Sequence, residues 1–228
     1  MSQARAFWVQ VVWEWRFELR RKDTLVSMGL MALITLFLFS FAIDPLDDRV
    51  QAAMPTLSGG ILWVTFVLAG TIGIDRAFRG DGDGRMLEAL LLAPVTRATV
   101  YYAKVVATFA MVLLVAAVTL VLFLVLFNRE TSGEGLCLVA LAAVLGLFGF
   151  VELGILLSAM TWSVAGGDVL LRILLFPMLI PVFYAAVSLT SHAFDGKPPT
   201  AAELTILASF DVVFLGVGHL LFEHLVRE

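Results

Sequence analysis

The sequence is poor in cysteine and lysine, with one cysteine, Cys137, and three lysines, Lys22, Lys104 and Lys197, among 228 residues. A single cysteine excludes an internal disulfide and a cysteine-based zinc or iron–sulfur site. Because Cys137 lies within an apolar run, we expect it to be buried in a core. No lysine falls in the GxxxxGK[ST] pattern of a nucleotide-binding P-loop, and no serine–histidine–acid or metalloprotease motif is present. The sequence therefore offers no catalytic motif and no metal site.

Charge is also scarce. Charged residues make up 15% of the chain and hydrophobic residues 61%, and the mean hydropathy is +0.97. Soluble domains carry about 25% charged residues, so this composition excludes a water-soluble globular domain. The net charge of −4 gives no reason to expect a nucleic-acid partner. The class that remains is a polytopic helical protein embedded in membrane lipid.

Six apolar runs are long enough to cross a bilayer, which takes about 20 residues in a helix. Each must be helical, because lipid offers no partner to an unpaired backbone amide. The predicted spans are 24–43, 57–74, 100–127, 136–160, 169–189 and 204–222. The predicted fold is therefore all-α and integral to the membrane, a single domain of residues 1–228 with six transmembrane helices.

An amphipathic helix is predicted before the first span, in residues 1–23. Phe7, Val11, Trp15 and Leu19 recur at a spacing of four, whereas Gln10 falls on the other face. This pattern favours a helix that lies in the membrane interface, and the alternative is a soluble helix that docks on a partner.

Basic residues set the expected orientation. Twelve of the 15 lie on one side of a six-span topology, five in the N-terminal segment and five between spans two and three. The positive-inside rule then places both termini in the cytoplasm. The loop 75–99 becomes the long cytoplasmic connection, in which Arg85 to Ala93 is a short helix ended by Pro94. Such a helix either rests in the interface or docks into a cytoplasmic subunit.

Besides Lys104, near the start of span three, three charged residues fall inside the predicted spans, where charge is costly and usually functional. They are Glu152, Arg172 and Asp211. Glu152 and Arg172 are at comparable depth and could pair across helices; alternatively, Arg172 extends to the surface and Glu152 caps a neighbouring group. Asp211 is predicted in the opposite half of the membrane from Glu152, so a proton relay of carboxylates at successive depths is weakly supported.

The fifth span contains Pro177 and Pro181, four residues apart on one helical face, with Met178 and Tyr184 nearby. Each proline removes a backbone hydrogen bond, which predicts either a hinge or pathway-lining helix or a static kink. Of the three histidines, His192 lies at one end of span five. A lone histidine at a membrane boundary is more often an interfacial polar residue than a haem ligand.

Four segments resemble a known family: Phe17 to Asp23 (FELRRKD), Gly73 to Arg97 (GIDRAFRGDGDGRMLEALLLAPVTR), Pro177 to Val182 (PMLIPV) and Phe210 to Phe214 (FDVVF). Along nearly its whole length the chain is similar to the B subunit of the haem exporter used in cytochrome c maturation. That subunit is the membrane permease of an ATP-binding-cassette (ABC) complex. Where the family has a charge-rich run after DRxF, this loop is rich in glycine.

The resemblance implies an ABC-exporter-type permease of the bacterial inner membrane. It would couple ATP hydrolysis by a separate ATPase subunit to haem delivery to, or release from, a periplasmic haem chaperone. Two copies would assemble as a homodimer with the ATPase, a tryptophan-rich haem-handling membrane subunit and a small single-span subunit. ATP would bind the partner, haem would be the cargo, and this chain would hold no cofactor firmly. The implied ATPase-coupling residues are Asp75, Arg76, Arg85, Leu87, Glu88, Leu90, Leu91 and Pro94.

Three alternatives remain open at this point. The chain could be a permease for another cargo, such as a lipid or polysaccharide, or a membrane scaffold that transports nothing. It could also be a proton-coupled carrier, which ATP dependence of activity would exclude.

Overall fold

The computed structural model describes residues 7–13, 15–16, 22–43, 48–79, 97–129, 131–161 and 167–225. All the regular structure in these ranges is helical, with no strand among them. A short N-terminal segment is helical at residues 7–13 and 15–16. Six long helices follow, named α1 to α6: Asp23–Ala42, Asp48–Arg79, Arg97–Leu126, Gly133–Thr161, Gly167–Asp195 and Ala201–Leu225.

All six helices contain a stretch long and apolar enough to cross a membrane. These stretches are Asp23–Ala42, Thr56–Ala77, Ala98–Leu126, Gly133–Thr161, Val169–Asp195 and Ala201–Leu221. The predicted fold class is confirmed. Several helices run beyond the predicted spans, since a helix continues through polar residues where its ends leave the hydrocarbon. Helix α2, for instance, begins at Asp48.

Helices α2 and α4 form the centre of the bundle. Helix α2 contacts α1, α3, α4 and α5, and α4 contacts α2, α3, α5 and α6. The sides that face each other carry fully or almost fully buried residues, including Leu62, Trp63, Leu147 and Phe150. Lipid tails are as apolar as these side chains, so close van der Waals packing holds such helices together rather than the exclusion of water.

Glycine permits the closest of these approaches. A Cβ atom on Gly146 would lie 2.3 Å from the ring of Trp63, so only a residue without a side chain fits between α4 and α2. The pair Ala142 and Gly146 is a small-xxx-small motif, and sequence alone does not decide whether such a motif serves internal packing or dimerisation. Both residues are buried within the chain, so this motif packs α4 internally.

The two ends of the bundle differ in how their helices connect. The end at which α5 is followed by α6 is called the α5–α6 end, and the opposite one the α2–α3 end. At the α5–α6 end, Gly196 adopts φ 67 after the last turn of α5, and Lys197 N donates a 2.9 Å hydrogen bond to His192 O. Ser132 Oγ caps α4 by accepting from Gly135 N at 3.0 Å.

One expectation about an individual side chain is wrong. Cys137 is exposed on the outside of α4 rather than buried. In the N-terminal segment Gln10 and Val11 are buried and Trp8 and Trp13 are exposed, and the interfacial position of this helix stays a prediction. In both places apolar residues occur on the outer side of the helix, where lipid is an acceptable neighbour, so apolarity does not identify the inner side.

Candidate functional site

An ion pair joins α5 to α2 at the α2–α3 end. Arg172 Nη2 donates a 2.7 Å hydrogen bond to Asp75 Oδ2, with the arginine side chain 51% exposed. Of the two alternatives for Arg172, the pair with Glu152 is therefore wrong, and the half-exposed arginine extends toward the surface. Arg172 lies in the second turn of α5, beside the last turns of α2, whereas Glu152 is nine residues from the end of α4. The arginine is five residues from the start of α5, so Glu152 lies about 6 Å deeper, and neither of its carboxyl oxygens accepts a hydrogen bond from Arg172.

Two further contacts tie the last turns of α2 to its neighbours. Arg76 Nη2 donates to Ser27 Oγ of α1 at 3.4 Å. Lys104 Nζ donates to the Ala77 carbonyl at 2.8 Å, so α3 is tied to α2 across the loop that joins them. The two described members of the predicted coupling set, Asp75 and Arg76, therefore belong to a contact region between helices.

The rest of that set lies outside the described residues. Those side chains are Arg85, Leu87, Glu88, Leu90, Leu91 and Pro94. The coupling helix therefore stays a prediction from the sequence.

Glu152 lies deep inside the bundle on α4, with no exposed surface. Neither of its carboxyl oxygens has a hydrogen-bond partner among the described residues. Its backbone carbonyl accepts a 3.3 Å hydrogen bond from Tyr101 Oη. An intramembrane carboxyl group in this state is costly, and such groups usually mark a functional position or a partner elsewhere.

Asp211 is buried on α6, close to the same stretch of α4. A Cβ atom on Gly149 would lie 2.7 Å from Asp211 Oδ1, and Gly149 precedes Glu152 by three residues, about 4.5 Å of helix. The two carboxyl groups therefore lie at similar depth, and their predicted placement in opposite halves is wrong. Glu152 and Asp211 do not form a proton relay, because two groups at one depth do not make a path across the membrane.

The predicted hinge residues occupy the outside of α5. Pro177, Met178, Pro181 and Tyr184 are all exposed, and α5 is one continuous helix through both prolines. Within the described part of the chain these four side chains line no internal channel. A pathway along this face would need a second molecule on its other side.

The α5–α6 end holds a third buried carboxyl group, that of Glu203, which is 6% exposed. Glu203 Oε1 accepts a hydrogen bond from Ser188 Oγ, and Oε2 accepts one from Thr200 N at 3.1 Å. The contact to Thr200 N is one half of a capping box at the start of α6. His192 Nδ1 of α5 lies 3.3 Å from Glu203 Oε1.

A groove of about 610 Å³ opens beside this cluster, between the outer part of α5 and the beginning of α2. Its wall includes Phe183 and Tyr184, and its polar lining includes Thr56, His192 and Lys197. No group of three or more metal-binding side chains occurs in the ranges that the structure covers.

Comparison with known proteins gives the family. The sequence profile of the CcmB protein family matches residues 5–228. This chain belongs to the CcmB protein family. The resemblance inferred from the loop after span two and from the proline pair is therefore confirmed.

Several CcmB relatives carry the name Heme exporter protein B. The relative from Pseudomonas aeruginosa is 29% identical over 202 residues, covering 86% of this chain and 87% of its own. The relative from Bradyrhizobium diazoefficiens is 25% identical over 189 residues, covering 83% and 82%. The relative from Escherichia coli strain K12 is 31% identical over 101 residues, covering 44% of each chain.

The sequence reasoning missed Glu203 in this CcmB chain. Its signal is present, because Thr200 followed three residues later by Glu203 is a capping-box pattern. The predicted span began at 204, one residue too late to include the glutamate. His192 was recognised, but its partner on α6 was not.

Proposed function

We propose that this chain is the membrane subunit of a haem exporter that serves c-type cytochrome biogenesis in the bacterial inner membrane. The family match over residues 5–228 is the observation that supports this most strongly. The relatives' name, Heme exporter protein B, supplies haem as the cargo. Six helices able to cross the membrane fit a permease.

We further propose that the α2–α3 end faces the cytoplasm and the α5–α6 end the periplasm. The support is the concentration of basic residues in the N-terminal segment and in the loop after α2. Reporters fused at residues 1 and 228 should then report the cytoplasm, and reporters at Arg129 and Lys197 the periplasm. A periplasmic C-terminus would contradict this topology.

The ATPase is proposed to be a separate subunit that docks on the loop 75–99. Three contacts support a coupling role for the α2–α3 end, because they tie the last turns of α2 to three helices. They are Arg76 with Ser27 of α1, Lys104 of α3 with Ala77, and Arg172 of α5 with Asp75. A displacement of the loop would therefore move the last turns of α2 and, through these contacts, α1, α3 and α5.

The docking proposal has a direct test. Leu87→Asp places a charge in the predicted apolar side of the loop helix, so the ATPase should no longer co-purify with the permease in mild detergent. Leu136→Asp is the matched control, since Leu136 is an exposed leucine at the opposite end of the bundle. Retention of the ATPase with normal ATP turnover by the Leu87→Asp variant would refute the dock.

The remaining partners follow from the same proposal. We place two copies of the permease in the complex, with a tryptophan-rich haem-handling membrane subunit, a small single-span subunit and a periplasmic haem chaperone. The outward position of Pro177, Met178 and Pro181 supports a partner molecule against the first half of α5. The double variant Pro177→Ala with Pro181→Ala should keep the ATPase bound and reduce the covalent haem in periplasmic cytochromes c. Normal haem incorporation would reduce the proline pair to a structural kink.

A further inference from the structure

We propose that the groove at the α5–α6 end is a haem-binding site with His192 as the axial ligand of the iron. The inference rests on the proposed function, which makes haem the cargo. The groove lies at the end of the bundle that the topology assigns to the periplasm, which is where an exported haem would be handed over.

The size and lining of the groove suit one flat, largely apolar molecule. Small-molecule sites usually measure about 300–1,000 Å³ and are mostly apolar with a few well-placed polar groups. This groove measures about 610 Å³, and Ile180, Phe183, Tyr184 and Val187 supply apolar and aromatic wall surface. Aromatic rings pack well against the faces of a planar conjugated ring. A porphyrin presents such faces.

His192 has the environment of a metal-ligating histidine. Ligating histidines usually direct one ring nitrogen at a carboxylate, which orients the ring and leaves the other nitrogen to the metal. His192 Nδ1 lies 3.3 Å from Glu203 Oε1 and makes no hydrogen bond within the described part of the chain. A small rotation of the imidazole would direct its Nδ1–H at the carboxylate. Nε2 is then the nitrogen available to haem iron.

Glu203 is fixed in place independently of the histidine. Its two oxygens accept hydrogen bonds from Ser188 Oγ and Thr200 N, and the residue is almost fully buried. The helices beside the groove are equally constrained. A Cβ atom on Gly59 of α2 would lie 2.6 Å from Ser191 Oγ of α5, so the two helices meet with no space to spare. The site is thus built on two closely packed helices.

The rim of the groove offers one ammonium group to the charged edge of haem. Lys197 lies at the rim, with its Nζ 2.5 Å from Asp195 Oδ2. An ammonium group has three donors, so Lys197 can bind a propionate while it contacts Asp195. The groove therefore has an apolar wall and one ammonium group at its rim, which a haem propionate would share with Asp195.

The side of the groove that faces away from the bundle gives haem a route of entry. Tyr184 is 71% exposed and Ile180 is 64% exposed, so haem could arrive from lipid or a partner without crossing the helix core. A lipid tail or a partner helix would use the same apolar wall. Neither of those occupants would use the second ring nitrogen of His192, whereas haem iron would take it as a ligand.

Titration of the purified full-length protein with ferric haem in nanodiscs tests the site without any transport assay. Wild-type protein should saturate at one haem per chain with the absorption spectrum of histidine-ligated haem. His192→Ala should lose that spectrum and weaken binding at least tenfold. His219→Ala is the matched control and should bind normally, because His219 lies in the part of α6 away from this end, stacked on Tyr102.

A second variant tests the groove without altering the ligand. Ile180→Trp fills the groove while it leaves His192 and Glu203 in place, and it should also weaken binding at least tenfold. Binding that is not saturable, or that survives both His192→Ala and Ile180→Trp, would overturn the site. Cytochrome c haem in cells separates the two ideas: if haem incorporation depends on this chain but the titration fails, the proposed function stands and only this site is wrong.

Discussion

Two buried glutamates in this protein have opposite surroundings. Glu152, at the centre of the bundle, has no hydrogen-bond partner among the described residues for either carboxyl oxygen. Glu203, at the α5–α6 end, accepts hydrogen bonds from Ser188 and Thr200 and lies beside His192. Both residues are almost completely buried. Burial alone therefore does not show which carboxyl group is oriented by hydrogen bonds next to a candidate ligand site.

The difference separates two kinds of polar position in a membrane protein. The surroundings of Glu203 hold one carboxylate in one orientation, next to a histidine and a groove. The surroundings of Glu152 are closely packed, and Gly149 on the same helix leaves no space beside Asp211. We infer that ligand chemistry is concentrated at the α5–α6 end, whereas the central region mainly packs helices. The following substitutions test this contrast.

The largest effect is expected from Gly149→Leu in the central region. A Cβ atom there would lie 2.7 Å from Asp211 Oδ1 and 3.0 Å from Phe210, so α4 and α6 would have to separate. Overpacking of this kind costs about 1–3 kcal/mol of unfolding free energy, and occasionally more. Chemical denaturation in detergent measures it. Gly216→Leu is the control, because a Cβ atom on Gly216 meets nothing within 4 Å. Equal stability of the two variants would show that α4 and α6 are not closely packed.

Removal of the carboxylate at the α5–α6 end should cost as much or less, because no helices have to separate. Glu203→Leu leaves the Ser188 hydroxyl and the Thr200 amide without their acceptor. Unsatisfied buried groups typically cost about 1–3 kcal/mol. The unfolding free energy should fall by that amount, and Glu203→Gln, which keeps an acceptor oxygen, should lose less. An unchanged unfolding free energy for Glu203→Leu would mean that these hydrogen bonds contribute nothing.

The same kind of substitution at the centre should have the opposite sign. Glu152→Met replaces a carboxyl group that lacks a described partner with an apolar side chain of similar length. Because a buried polar group without a partner is unfavourable, the unfolding free energy should rise by about 1 kcal/mol. The same denaturation assay measures it, with Glu152→Gln for comparison. A loss of 1 kcal/mol or more would show that Glu152 has a stabilising partner.

The smallest effect is expected at the α2–α3 end. The Asp75–Arg172 pair is half exposed on the arginine side. Exposed ion pairs contribute about 0.2–1 kcal/mol in double-mutant cycles. A cycle of Asp75→Asn and Arg172→Gln should give a coupling free energy in that range, and it should decrease in high salt. A coupling above 2 kcal/mol would indicate a buried, rigid pair instead.

The number of spans and the family followed from the sequence, because length and continuous apolarity determine a transmembrane helix. The ion-pair partner of Arg172 could not be predicted from the sequence, because it depends on α5 lying beside α2 and not on residue spacing. The outward positions of Pro177 and Cys137 could not be predicted from the sequence either. Lipid and protein interior are equally apolar, so a transmembrane helix carries little pattern to show which side is buried. Glu203 could be predicted from the sequence, because Thr200 and Glu203 have the spacing of a capping box.

The most direct test of the account is the amount of covalent haem in periplasmic c-type cytochromes of cells that lack this gene. Haem staining of the separated cytochromes measures it. The proposed function predicts that staining is lost in the deletion strain and restored by a plasmid copy of the wild-type chain at normal levels. Unchanged staining in cells without the chain would contradict the proposal that it is the membrane subunit of a haem exporter for cytochrome c biogenesis.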